Sequence, residues 1–275
     1  MNLVPTNEAR ELRAAALHLL CEPDPQRKAE LTRALREQWL AGAIDVDPQA
    51  ALLPSATLPG RPERPPLVPP REVGRRPMNT VEGRAALIHA LAHIEFNAIN
   101  LALDAVWRFA GMPRAFYADW LQVAAEEALH FSLLDGHLRT MGHAYGDFSA
   151  HNSLWEMAES TAADVIARMA LVPRTLEARG LDATPAVRAK LAQVGDAAAA
   201  AILDIILRDE VGHVAIGNHW YRWLCERDGL DGVATYAELS VRHRAPQPRR
   251  PFNLDARRAA GFSEEEIAVL EAAGL

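Results

Sequence analysis

An all-α fold organised around four long helices is the expectation for this chain, and three observations carry it. Alternating β-branched runs are scarce. Apolar residues between 79 and 228 recur with a helical period. One pattern occurs twice: Glu95 precedes Glu127 by 32 residues and Glu177 precedes Glu210 by 33, opening Glu127-Ala128-Leu129-His130 and Glu210-Val211-Gly212-His213. Two hairpins of long helices, each with a lone glutamate and a Glu-x-x-His, imply a pseudo-twofold four-helix bundle.

The elements follow in order. Residues 1–53 form an N-terminal helical segment, with two short helices over 7–42 and Asn7 and Asp24 as caps. Residues 54–78 hold eight prolines with Arg61, Arg64, Arg71, Arg75 and Arg76 between them, which excludes helix or central strand and predicts an extended linker or strap. The bundle occupies 79–228. Its first helix runs from Asn79 to Phe109, with Asn79 and Glu82 at capping-box spacing, and turns at Gly111-Met112-Pro113. The second spans 114–141 and ends at Gly142. The third runs from Leu154 to Arg179 and stops at Gly180, kinked or widened at Pro173; Pro185 then sits near the start of a short helix. The fourth spans 194–225. A C-terminal extension, 229–275, holds an irregular stretch over 242–251 and a short amphipathic helix over 264–273.

The totals bound the function. The 275 residues suffice for one large domain with a smaller appendage. A net charge of −7 does not favour nucleic acid or anionic membrane as a general partner. Two distant cysteines, Cys21 and Cys225, argue against a disulfide framework and for a reducing cytoplasm. No signal peptide and no membrane-spanning apolar stretch are expected.

The chemistry lies in the repeated pattern. Glu95 falls in line with Ile88, Leu91, Ala92 and Ala102. Glu127 and His130 share a face with Trp120, Val123, Ala124 and Leu134. Glu177 aligns with Ile166, Ala170 and Pro173; Glu210 and His213 align with Leu203, Ile206 and Gly217. Four carboxylates converging in one core would repel one another and resist burial. Two divalent cations cancel four negative charges, and two imidazoles add neutral nitrogen donors. The plain alternative is six salt-bridged or solvated residues on helices rich in Glu and Arg, which fits any one of them better than all six. Glu126 and Asp209 each precede a ligand glutamate; Asp209 is expected to orient His130 and Glu126 to orient His213 through their second ring N–H. His93, facing away from Glu95, reads as a packed or surface histidine.

These residues resemble the ferritin-like diiron carboxylate superfamily. Arg208-Asp209-Glu210-Val211-Gly212-His213 resembles the fourth-helix signature of ribonucleotide reductase small subunits and diiron oxygenases. Leu176-Glu177-Ala178-Arg179 resembles the third-helix segment of a diiron tRNA hydroxylase. Over 79–225 the chain is most similar to a bacterial ferritin-like family of unknown function. The resemblance implies two iron ions that bind O2 between them. Their ligands would be Glu95, Glu127, His130, Glu177, Glu210 and His213, with Glu127 and Glu210 as bridging, catalytic carboxylates. Three departures narrow it. Leu134 replaces the radical-bearing tyrosine of the reductases, Leu181 replaces the threonine of the methane-monooxygenase type, and two cysteines cannot supply a rubredoxin iron site.

The function expected is a metal-dependent oxidoreductase: an O2-dependent monooxygenase or hydroxylase with a separate electron donor and an unidentified substrate. A ferroxidase or iron-handling protein, or a dimanganese catalase or peroxidase, stays open, because the ligand set also accepts manganese. RNA stays open as a substrate on the strength of the arginine clusters 71/75/76 and 242/244/249/250. A homodimer is compatible with the sequence.

Overall fold

A computed structural model describes residues 11–74 and 76–274; Asn7 and Arg75, read above as a cap and as part of a basic cluster, lie outside them. The described residues are all-helical, with no strand and only two isolated bridges, Glu11↔Asp45 and Leu67↔Ala150. The chain divides into two compact units, Met1–Asn152 and Ser153–Leu275.

The first unit holds α1 (Leu12–Leu20), α2 (Pro25–Leu40), α3 (Val81–Arg108) and α4 (Arg114–Thr140). α2 starts where the sequence places it: Asp24 accepts the Arg27 amide at 2.7 Å and Pro25 occupies the first turn. α3 is capped one residue later than expected, by Thr80, whose hydroxyl accepts the Gly83 amide at 2.9 Å. The reason is steric. A Cβ at residue 83 would lie 1.8 Å from the Pro77 carbonyl oxygen, so the chain folds back on Gly83 and presents Thr80 to the helix end. α3 packs along α4, α1 along α3 and α2 along α4. The α3–α4 turn is fixed by Tyr117, whose hydroxyl donates to the Phe109 carbonyl at 2.8 Å and accepts the Met112 amide at 3.2 Å.

The proline-rich segment is a strap laid onto this unit. Gly60 donates to the Leu20 carbonyl at 2.8 Å, and Val68 and Ala150 close a small bridge. Lys28, fully buried, reaches from α2 to the Gly60 carbonyl at 2.9 Å, the Leu20 carbonyl at 3.2 Å and the Asn100 side chain of α3.

The second unit holds α5 (Ser153–Ser160), α6 (Val165–Leu171), a π-helical segment Val172–Glu177, α7 (Ala178–Gln193), α8 (Ala197–Asp228), α9 (Gly232–Arg242), α10 (Leu254–Ala259) and α11 (Glu264–Ala273). The widening expected at Pro173 is the π segment. The expected stop at Gly180 does not occur. α7 runs through Gly180 and Pro185, because Ala178 and Leu181 are buried against Val214 and Ala260, and Asp182 pairs with Arg257 at 2.6 Å. Tertiary packing outweighs the poor helix propensity of one glycine. The break falls earlier, between Ser160 and Val165, where Asp164 caps α6. α8 ends at Gly229 with φ +67°. The helix expected over 264–273 is α11, closed by a capping box of Ser263 and Glu266.

Among the described residues α3 is the helix long and apolar enough to cross a membrane by length and composition; His89, His93, Glu95, Asn97 and Asn100 interrupt its apolar run, and most of it is buried within the protein, as suits a core helix.

Candidate metal centre

The i, i+3 spacing on α4 puts Glu127 and His130 on one face, and α3 brings Glu95 opposite. His130 Nδ1 lies 3.3 Å from Glu95 Oε2 and 3.4 Å from Glu127 Oε2. Glu127 and His130 are fully buried and Glu95 is 4% exposed. Each residue offers one ligand atom, all within 4.8 Å of one another. Two donors held at about 2.1 Å by a single ion, at angles between octahedral and tetrahedral, stand about 3.0–3.4 Å apart. The two spacings from His130 match that requirement, so this buried Glu/His cluster could hold metal.

The electrostatics lead the same way. Burial, followed by repulsion from the Glu127 carboxylate, raises the Glu95 carboxyl well above the ordinary range. Burial alone would lower His130, but the hydrogen bonds and charges of Glu127 and Glu95 outweigh it and hold the imidazole protonated. Two buried carboxylates thus demand positive charge between them, which a metal ion meets as a proton does.

The second unit carries the matching pair. On α8, Glu210 is 8% exposed and His213 is fully buried, with His213 Nδ1 3.9 Å from Glu210 Oε2. Both histidines therefore turn Nδ1 toward the glutamate one turn before them. Glu177 is the last residue of the π segment and is half-buried. Of the expected outer partners, Glu126 accepts from the Gln122 side chain at 3.1 Å, and Asp209 accepts from Arg208 at 2.7 and 3.1 Å.

His93 is packed, one of the two readings expected of it: its Nδ1 lies 2.8 Å from the hydroxyl of Tyr145, a group that the sequence did not reveal, and its Nε2 lies 3.0 Å from the His151 carbonyl oxygen. Tyr145 packs against Phe96 and Phe131, the neighbours of Glu95 and His130, at ring-centroid distances of 5.6 and 5.3 Å. Burial raises the Tyr145 phenol, so it stays neutral. Tyr145 lies in the loop after α4, outside any helical period, so only its aromatic character could have marked it.

Residues 21–268 match the family model described as "Protein of unknown function (DUF455)". A protein of Haemophilus influenzae described as an uncharacterized protein is 50% identical over 253 residues, covering 89% of this chain and 88% of that protein. No solved structure matches the chain.

Proposed function

The chain belongs to the DUF455 family, and we propose that it is a non-haem diiron oxidoreductase on a ferritin-like bundle: a monooxygenase or hydroxylase that uses O2 and electrons from a separate donor. The observation that carries this reading is the doubled, buried Glu-x-x-His, with His130 held between Glu95 and Glu127 in one unit and Glu210 beside His213 in the other.

In this reading Glu95, Glu127, Glu177 and Glu210 would supply the carboxylates that hold two irons, and His130 and His213 a nitrogen each. His130 would have to give up its proton before Nδ1 could serve as a ligand. Asp209 and Glu126 would accept the remaining ring N–H of His130 and His213 and fix both imidazoles. A ferrous pair bound there would supply electrons for activating O2. The burial of Glu95, Glu127, His130 and His213 keeps bulk water out, which protects a reactive centre from side reactions.

The test is Fe(II)-dependent O2 uptake by the intact protein. The reading expects uptake that depends on protein and disappears in Glu127→Ala and in Glu210→Ala. Uptake accompanied only by accumulation of ferric iron, under every reductant supplied, would favour the ferroxidase alternative. Activity with manganese and hydrogen peroxide but not with iron and O2 would favour the catalase or peroxidase.

A further inference from the structure

We infer that the second unit contains a binding site for a monocarboxylate with an apolar body, apart from the proposed metal ligands. A cavity of about 290 Å³ lies between the π segment, α9, α11 and the link around Pro246 and Pro248. Its walls include Val233, Tyr236, Phe262, Val269 and Leu270. Arg174 lines it too, with a side chain only 3% exposed. The guanidinium packs against three rings, 4.2 Å from the centroid of Tyr221, 5.3 Å from Tyr236 and 5.4 Å from Phe262.

The polar bookkeeping of this cavity is incomplete. Arg174 Nη2 donates to Glu266, but Nε and Nη1 are buried with no hydrogen-bond partner. Ser240 Oγ, in the same wall, is also buried and unpartnered. Each unsatisfied buried donor costs about 1–3 kcal/mol, more when charged, so the cavity as built favours an acceptor inside it.

Charge gives the sign and number. Arg174, Arg179 and Arg257 border the cavity, against Glu266 in its wall and Asp182, which pairs with Arg257 at 2.6 Å. Three positive charges against two negative leave room for one anion. Guanidinium and hydroxyl donors together suit a carboxylate. The apolar walls suit a short alkyl chain or a single ring, since the volume lies at the small end of ligand pockets.

Calorimetric titration of octanoate into the metal-free full chain tests this, with octanol and octylamine as comparators. Using metal-free protein separates the result from the fate of the metal-centre reading. Octanoate is expected to bind one to one, at least about tenfold more tightly than octanol, as loss of one charge-assisted hydrogen bond requires. Octylamine is expected not to bind. Arg174→Gln should weaken octanoate about tenfold or more. Because that change also frees Glu266, Ala237→Trp provides a second arm: Ala237 is exposed on α9 in the cavity wall, so the indole should block octanoate without moving the melting temperature. No octanoate binding, equal binding of octanoate and octanol, or undiminished binding in Ala237→Trp would overturn the inference.

Discussion

At the scale of single residues, His89 shows how burial sets acid sensitivity. It is fully buried, its Nε2 accepts the Gly146 amide at 2.9 Å, and burial lowers its pKa to about 4. Above the unfolded value of about 6.5 the ring is neutral in both states and its contribution is intact. As pH falls from 6.5 toward 4 the unfolded chain takes up a proton that the folded ring refuses, and stability is lost, by up to about 3 kcal/mol from this group. Urea melts at pH 7 and pH 4.5 should show a smaller loss in His89→Gln, which can still accept from Gly146. An equal loss in both would remove His89 as the cause. The residues of the cluster were legible because Glu-x-x-His writes one helix face directly into the sequence. Arg174 was not legible: its partners Tyr236 and Glu266 come 62 and 92 residues later, a distance no local period spans.

At the scale of elements, the segment before Glu177 is where proline and glycine decide the geometry. Pro173 opens the helix into a π turn, and α8 meets it at Gly217, where a Cβ would lie 2.3 Å from Pro173 Cβ. Gly217→Ala is therefore expected to destabilise by about 1–3 kcal/mol through overpacking. Adding Pro173→Gly, which removes both the Cβ and the Cγ that the new methyl would meet, should restore part of that loss, a coupling that a double-mutant cycle would read. Additive losses would contradict the contact. The strap makes a parallel case. Lys28→Met strips a donor from the Leu20 and Gly60 carbonyls and from Asn100. It should cost about 2–4 kcal/mol and speed hydrogen exchange at the Gly60 amide, which donates to the Leu20 carbonyl, under native conditions. Unchanged exchange would show that the strap holds without Lys28. Proline content announced the irregular strap, but nothing local announced its anchors. The end of the third helix was misread for the complementary reason: Gly180 is a stop signal by propensity, and the buried Leu181 beyond it overrides that signal through contacts with α8 and α10.

At the scale of the whole molecule, the doubled pattern is distributed over two compact units, with Glu95, Glu127 and His130 in one and Glu177, Glu210 and His213 in the other. The all-helical architecture was readable from periodicity, since 3.6-residue spacing survives any arrangement of the helices. The added helices α9 and α10 were not, because their few buried positions, Leu239 and Arg257, leave little period to read. Among the arginines weighed as an RNA contact, Arg76 pairs with Glu82 at 2.9 Å, Arg242 with Glu238 at 2.5 Å, and Arg250 donates to the Glu271 carbonyl at 2.6 Å. The proposed function requires the two half-sets to form one dinuclear centre rather than two separate sites. Metal analysis of protein loaded anaerobically with Fe(II), compared with Glu127→Ala from the first unit and His213→Ala from the second, distinguishes the two. A shared centre should hold about two irons per chain in the native protein and lose both in either variant, since each metal depends on carboxylates from both halves. One iron retained in each variant, or no iron in the native protein, would contradict it.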